Sequence, residues 1–304
     1  MTKKTISILI VALLICGLVW AAVVWRRPEA RPEGLAVTTS IYPLYFLAAE
    51  IGGERVTLQN VVPAGAEAHD YEPTARDLAN LTDSAVVILN GGGLEPWAEN
   101  LTAVIGQAAE LVFASEGLAD RKIDHDGELE TDPHIWLSPN LAAQMADKVA
   151  AALIKVDPDG KSYYEMNLVG LKDRLAILDS EFQYGLADCS RRDFVVSHAA
   201  FGYLADDYDL VQMPIAGLEP QAEPTPRELT ELTEYVRASN IHYIFFEEMA
   251  SPKLAETLAK EVGAATLVLN PIEGLSEAQI VVGQDYLSEM RNNLNNLKMA
   301  LECR

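Results

Sequence analysis

Positive charge is scarce in this chain: its 304 residues carry 23 Lys and Arg against 45 Asp and Glu, a formal net charge of −22. So acidic a chain has little with which to neutralise a phosphate backbone, which argues against nucleic acid as a partner. It argues equally against docking on an anionic membrane face. Cysteine is scarce too, at three residues, and histidine numbers only five. No short-period repeat stands out. An apolar fraction of 49% with 22% charged residues is that of a globular protein, so disordered, collagen-like and low-complexity readings fall away. The length allows one or two domains, each with a real core.

The long apolar run is at the N-terminus. Lys3 and Lys4 precede residues 6–25, which carry no charge. The stretch is long for a signal peptide and just long enough to span a bilayer. Val19-Trp20-Ala21 offers a cleavage site, so residues 1–25 read as a signal peptide or a membrane anchor. Cys16 invites lipid attachment, although Ile15 stands where that signal needs a small residue. Each reading puts the rest of the chain outside the cytoplasmic membrane, periplasmic or otherwise extracytoplasmic. Residues 26–34 form a Pro- and charge-rich linker. Beyond the apolar run only Cys189 and Cys303 remain. In an oxidising compartment they fit one disulfide; two free thiols are the alternative.

Short β-branched runs then alternate with helical stretches. Strands are expected at 35–39, 56–62, 85–90 and 111–113, and helices at 41–51, 73–81, 94–105 and 140–155. A second series places strands at 194–197, 210–212, 241–246 and 266–269. Its helices are expected from 199, over 225–238 and 252–262, and as one long closing helix from 277. Thr225, Pro226 and Glu228 read as cap, first helical residue and capping-box partner. Between the series, Leu168, Leu171, Leu175, Leu178 and Phe182 are spaced by 3, 4, 3 and 4, one apolar stripe on a single long helix. The fold class is therefore α/β: two lobes, each with a parallel-type sheet flanked by helices, joined by one long rigid helix. The expected bounds are 35–158 for the N-terminal lobe, 159–188 for the connecting helix and 189–304 for the C-terminal lobe. In such proteins the ligand sits between lobes, beyond the carboxyl ends of the strands.

Three of the five histidines fall at such ends. His69 follows the second strand, His134 closes a polar loop, and His198 directly follows the strand at 194–197. Each alone suits a hydrogen-bonded structural role. Together, at equivalent positions in two lobes, they suggest one metal site. Neutral imidazole is a favoured ligand of borderline cations such as Zn²⁺. Three imidazoles and a carboxylate fill a tetrahedral shell with no place for water, which suits binding and not catalysis. His125 lies in the acidic loop 117–131, and His242 opens a strand as a structural residue. The Gly91-Gly-Gly turn lacks dinucleotide-binding spacing. No Ser/His/Asp order emerges either, since Ser197 and His198 point to opposite sides of an extended strand.

Several motifs in order carry a resemblance. They are His69-Asp-Tyr-Glu-Pro-Thr, Asn90-Gly-Gly-Gly-Leu-Glu-Pro-Trp, Asp132-Pro-His-Ile-Trp-Leu-Ser-Pro, Ser197-His-Ala-Ala-Phe-Gly-Tyr-Leu, Phe246-Glu-Glu and Asn270-Pro-Ile-Glu-Gly-Leu. From about Leu35 onward the chain resembles the zinc- and manganese-binding solute-binding proteins of ABC importers, the cluster A-I (ZnuA/AdcA-like) type. The resemblance implies two α/β lobes on a long helix with a metal between them, a permease and its ATPase as partners, a monomer, and no enzymatic activity. It implies His69, His134 and His198 as ligands. The family's fourth ligand is often an Asp where this chain has Asn270, and in the zinc branch the Glu that corresponds to Glu273 takes its place. Glu247 and Glu248 are rival carboxylates.

A nitrogen-rich shell favours zinc over manganese, although copper or nickel would bind such a set tightly. The acidic loop 117–131 lacks the His-rich character of a metal collector. Zinc affinity is expected to fall as pH drops through about 6.5, the ordinary histidine value. The alternatives are an exported zinc hydrolase with Glu273 or Glu248 as base, a manganese-binding homologue, and an adhesin-like surface protein with an incidental metal.

Overall fold

A computed structural model describes residues 34–98, 105, 109–125, 128–222 and 224–304. The segment 1–25, the linker up to 33, and residues 99–104 of the helix expected over 94–105 lie outside the described residues.

The first sheet is built from β1 (Leu35–Thr39), β2 (Val56–Asn60), β3 (Val86–Leu89) and β4 (Glu110–Phe113), with α1 (Tyr42–Gly52) and α2 (Ala75–Asp83) between them. Its order is β2-β1-β3-β4, and every pairing is parallel. Strand β3, Val-Val-Ile-Leu, is buried throughout. A central parallel strand covered on both faces needs such a continuous apolar run.

The loop expected over 117–131 contains an antiparallel hairpin, β5 (Lys122–His125) with β6 (Glu128–Thr131). A two-stranded ribbon buries little, so its sequence carries few apolar residues to announce it. Helix α3 (Pro139–Val156) follows, with the Ser138 hydroxyl accepting from the Leu141 amide at 3.1 Å.

Helix α4 (Lys161–Leu186) is the expected connecting helix. Its 26 residues span about 39 Å at 1.5 Å each. Leu171, Leu175, Leu178, Phe182 and Leu186 are buried along one face. The second sheet comprises β7 (Asp193–Val196), β8 (Val211–Pro214), β9 (Tyr243–Phe246) and β10 (Ala265–Val268), in the parallel order β10-β9-β7-β8. Its helices are α5 (Gly202–Asp207), α6 (Pro226–Ala238) and α7 (Lys253–Val262). The Thr225–Glu228 capping box forms as expected. Helix α5 starts at Gly202 and not at 199, and ahead of it the Ala199 amide is bonded to the Gly217 carbonyl at 2.8 Å.

The long closing helix is broken in two, α8 (Glu277–Val281) and α9 (Tyr286–Ala300). Gly283 turns the chain in the left-handed region at φ 78°, and Asp285 caps the new helix by accepting from the Ser288 amide at 2.7 Å. Helix α9 thereby packs against α4, where Leu294, Leu297 and Leu178 share one apolar cluster. The Phe46 ring of α1 stacks on Tyr286 at 5.3 Å. The Trp136 indole N–H donates to the Pro271 carbonyl at 2.7 Å, and the Tyr286 hydroxyl donates to the Trp136 carbonyl at 2.5 Å. One core thus runs through both lobes. Cys189 and Cys303 are joined as a disulfide, which ties the chain just after α4 to the chain just after α9. Among the described residues, no helix is long and apolar enough to cross a membrane.

Candidate metal centre

Four loops at the carboxyl ends of strands carry the candidate side chains. His69 follows β2, in a loop shaped by Glu67. The Glu67 carboxylate accepts from the amides of His69 and Asp70, each at 3.1 Å. His134 stands two residues after Asp132. The Asp132 carboxylate accepts from the His134 amide at 3.0 Å and from its Nδ1 at 2.9 Å.

The triple-glycine motif positions that segment. Gly91, Gly92 and Gly93 all have positive φ, at 83°, 69° and 96°. The buried Glu95 carboxylate holds the turn through the Asn90 and Gly91 amides at 2.7 and 2.8 Å and the Ser40 hydroxyl at 2.5 Å. Burial pushes the Glu95 carboxyl up, opposed by these donors. The Asn90 side-chain amide then donates to the Pro133 carbonyl at 3.0 Å, immediately before His134.

In the second lobe, His198 follows β7, and its Nδ1 lies 2.7 Å from Glu247 Oε1 at the end of β9. Glu273 follows β10. Its turn is set by Asn270, whose side-chain oxygen accepts from the Ile272 amide at 2.7 Å while Ile272 sits at φ 59°. The Asn270 side-chain oxygen is thus committed to the backbone. The Glu273 carbonyl accepts from the Tyr42 amide at 3.2 Å, a bond between lobes.

The ligand-capable atoms of His69, His134, His198 and Glu273 all lie within 4.8 Å of one another. His134 Nε2 is 3.2 Å from His69 Nε2 and 3.3 Å from His198 Nε2. Glu273 Oε1 is 3.4 Å from His69 Nε2, 3.4 Å from His134 Nε2 and 3.7 Å from His198 Nε2. Metal–nitrogen bonds of about 2.0–2.1 Å give a tetrahedron with edges of about 3.3 Å. The observed separations are close to such edges.

The hydrogen bonding supports the same reading. A carboxylate can only accept, so Asp132 and Glu247 hold the protons of His134 and His198 on Nδ1. Their Nε2 lone pairs then face each other, and Glu273 Oε1 is buried with no hydrogen-bond donor. Converging lone pairs and an orphaned carboxylate oxygen require a cation or protons between them.

Charge follows from this crowding. Burial pulls the His69 imidazole down, but the charge of Glu273 and the carboxylates of Glu219 and Glu67 outweigh it and push it up to about 11. His134 is raised in the same way, against its burial, by Asp132 and Glu273. Burial raises Glu273, but the His69 and His134 rings hold it well below the usual carboxylate range. Glu67 is pushed up to about 7 by burial and by the charge of Glu273.

The rival residues are engaged elsewhere. Glu247 backs His198, and Glu248 accepts from the Gln279 side chain at 3.0 Å. His242 is an exposed surface residue between Asn240 and Glu302. His125 ends β5 in the hairpin. The partners Asp132 and Glu219 escaped the sequence reading. Asp132 carried a local signal, an acid two residues before a histidine; Glu219 carried none.

The fold and the cluster have a known counterpart. The description of ZnuA, the periplasmic component A of the zinc-uptake complex, matches residues 37–300. The chain belongs to the ZnuA family. The high-affinity zinc uptake system protein ZnuA of Bacillus subtilis (strain 168) is 38% identical over 285 residues, 90% of this chain and 89% of that protein. Zn(II)-bound AdcA from Streptococcus pneumoniae has a TM-score of 0.78 at 36% identity, covering 88% of this chain and 58% of that one. This ZnuA-family chain therefore spans little more than half of that AdcA chain. A mutant of the laminin-binding adhesin Lmb from Streptococcus agalactiae gives a TM-score of 0.81 at 31% identity, covering 88% of this chain and all of that one. The two-lobed α/β architecture expected from the sequence is that of the ZnuA family.

Proposed function

We propose that this ZnuA-family protein captures Zn²⁺ outside the cytoplasmic membrane and delivers it to an ABC permease with its ATPase. The observation that carries this reading is the near-tetrahedral spacing of His69, His134, His198 and Glu273 around a buried point between the lobes. His69 and His134 come from the first lobe, His198 and Glu273 from the second. Three nitrogens and one oxygen favour zinc over manganese, which prefers a harder and larger oxygen shell. A catalytic zinc keeps one position open for water, and four protein ligands leave none, so binding and not hydrolysis is the activity. The zinc-uptake and zinc-binding names of the relatives support zinc as cargo, and the uncharged N-terminal run supports an extracytoplasmic place.

The shared core and the Trp136–Pro271 bond favour a small shift between lobes as the route of release over a wide hinge opening. Competition titration of the purified protein against a chromophoric chelator tests the function. One equivalent of Zn²⁺ is expected to bind, with Mn²⁺ at least about a hundredfold weaker. Equal affinities, or turnover of hydrolysable esters and peptides, would overturn it.

The pH response follows from the raised imidazoles. Without metal, His69 keeps its proton well above the ordinary value of about 6.5. Zinc must displace that proton, so affinity rises with pH across neutrality and falls about tenfold per pH unit for each proton displaced. The competing range therefore lies above the one expected for unperturbed histidines. The same titration at pH 8 and pH 6 is expected to differ by about a hundredfold for one proton. A flat profile would contradict the protonated metal-free cluster.

A further inference from the structure

Each of the three imidazoles has a carboxylate behind it, but the pairs are not alike. Asp132 and His134 are fully buried and share one loop. Glu247 and His198 are buried and sit on adjacent strand ends of the second sheet. His69 Nδ1 instead faces Glu219 Oε2 at 3.6 Å, longer than a hydrogen bond, and the Glu219 side chain is 62% exposed. His69 belongs to the first lobe, and Glu219 lies between β8 and α6 in the second. Of these three carboxylate–imidazole pairs, this one alone crosses between lobes and reaches solvent.

The surroundings give that contact a direction. Two described cavities touch the candidate ligands. One, lined by Glu67, Glu247, Met249 and Glu273, holds only about 10 Å³. The other is about 400 Å³, and His69, Gly92, Thr131, Pro133, Leu218 and Glu219 line it. Of these two, only the second has room for a hydrated ion, and His69 and Glu219 stand together in its lining. Just before Glu219 the chain is pinned to the second lobe, through Ala216 to Ser197 and through Gly217 to Ala199, each bond 2.8 Å. Glu219 itself sits on a short turn closed by the Ala222 amide at 3.1 Å. Glu219 is thus anchored to the second lobe, whereas His69 follows β2 of the first.

Resting on the proposed ligand set, we propose that Glu219 is a positioning residue that latches His69 across the lobes and so controls zinc release through this cavity. An imidazole that offers Nε2 to a cation keeps its proton on Nδ1, and a carboxylate there fixes ring orientation and tautomer. For His134 and His198 that support is buried and internal to a lobe. For His69 it is external, so a small lobe shift loosens His69 first and leaves three ligands, from which the ion departs into the open cavity. A permease need only displace the turn that carries Glu219 to start delivery.

The test measures zinc dissociation from the full chain into excess fluorescent chelator, with thermal melts to confirm folding. Glu219→Gln keeps the shape and removes the charge; it is expected to release zinc about tenfold faster, the range for losing such outer partners. In a His69→Ala background the same substitution is expected to change nothing. A wild-type rate for Glu219→Gln, or an equal acceleration in both backgrounds, would overturn the latch. His134→Ala, measured alongside, separates the two readings. If it loses zinc while Glu219→Gln behaves as wild type, the latch fails and the ligand set stands. If it also behaves as wild type, the ligand set itself fails.

Discussion

His134→Ala is expected to weaken zinc binding by a factor on the order of 10²–10³. Structural zinc sites bind with about 10–16 kcal/mol over four ligands, so an even share is roughly 2.5–4 kcal/mol. His134 is the central member of the cluster, with both other Nε2 atoms and Glu273 Oε1 within 3.4 Å of its own Nε2. Its loss also leaves Asp132 buried without its imidazole partner, beside Arg121 at 3.6 Å. The loop is held independently by the Asn90 bond to Pro133 and by the Tyr203 hydroxyl donating to the Asp132 carbonyl at 3.2 Å, so the fold should survive. Chelator competition gives the affinity and circular dichroism the folding. His242→Ala, at an exposed surface position, serves as the control with unchanged affinity. Wild-type affinity in both His134→Ala and His198→Ala would remove these residues from the site.

Breaking the Cys189–Cys303 bond is expected to cost about 4–5 kcal/mol of stability in the chain-entropy account for a loop of this size. The bridge spans 114 positions and encloses the entire second sheet. It joins the chain at the amino-terminal edge of β7, opposite the strand ends that carry the candidate ligands. Stability and binding should therefore separate. Urea unfolding of the metal-free Cys189→Ser/Cys303→Ser protein should show a much lower midpoint than the oxidised protein, with zinc affinity near wild type when folded. Equal midpoints would mean that the reduced chain already holds these ends together. The Arg191 and Arg304 amides do bond across this junction, to Leu301 and Asp188, and would soften the loss.

Much of this molecule was legible in one dimension. The strand β3 is a four-residue apolar run because both its faces are covered, and the stripe on α4 marks the face it buries. Thr225, Pro226 and Glu228 marked the start of α6, since capping depends on residues three apart. The break between α8 and α9 was also written locally, in Gly283 and Asp285, but the apolar spacing continued across it and masked the signal. The hairpin of β5 and β6 was less legible, because a solvent-facing ribbon needs little apolar patterning.

The site divides in the same way. Sequence alone determined that His69, His134 and His198 end strands or loops, because local periodicity encodes where strands stop. The acidic partner of His134 had a local signal, Asp132 only two residues away, but the pairing itself emerged from the structure. Only the tertiary structure decided that four residues spread from 69 to 273 converge within 4.8 Å, that Asn270 serves the backbone, and that Glu219 reaches His69 from the other lobe. The reason is physical. Local patterns are set by neighbours within a few residues, whereas convergence between lobes is a sum over one continuous core, and no single residue in the sequence carries that sum.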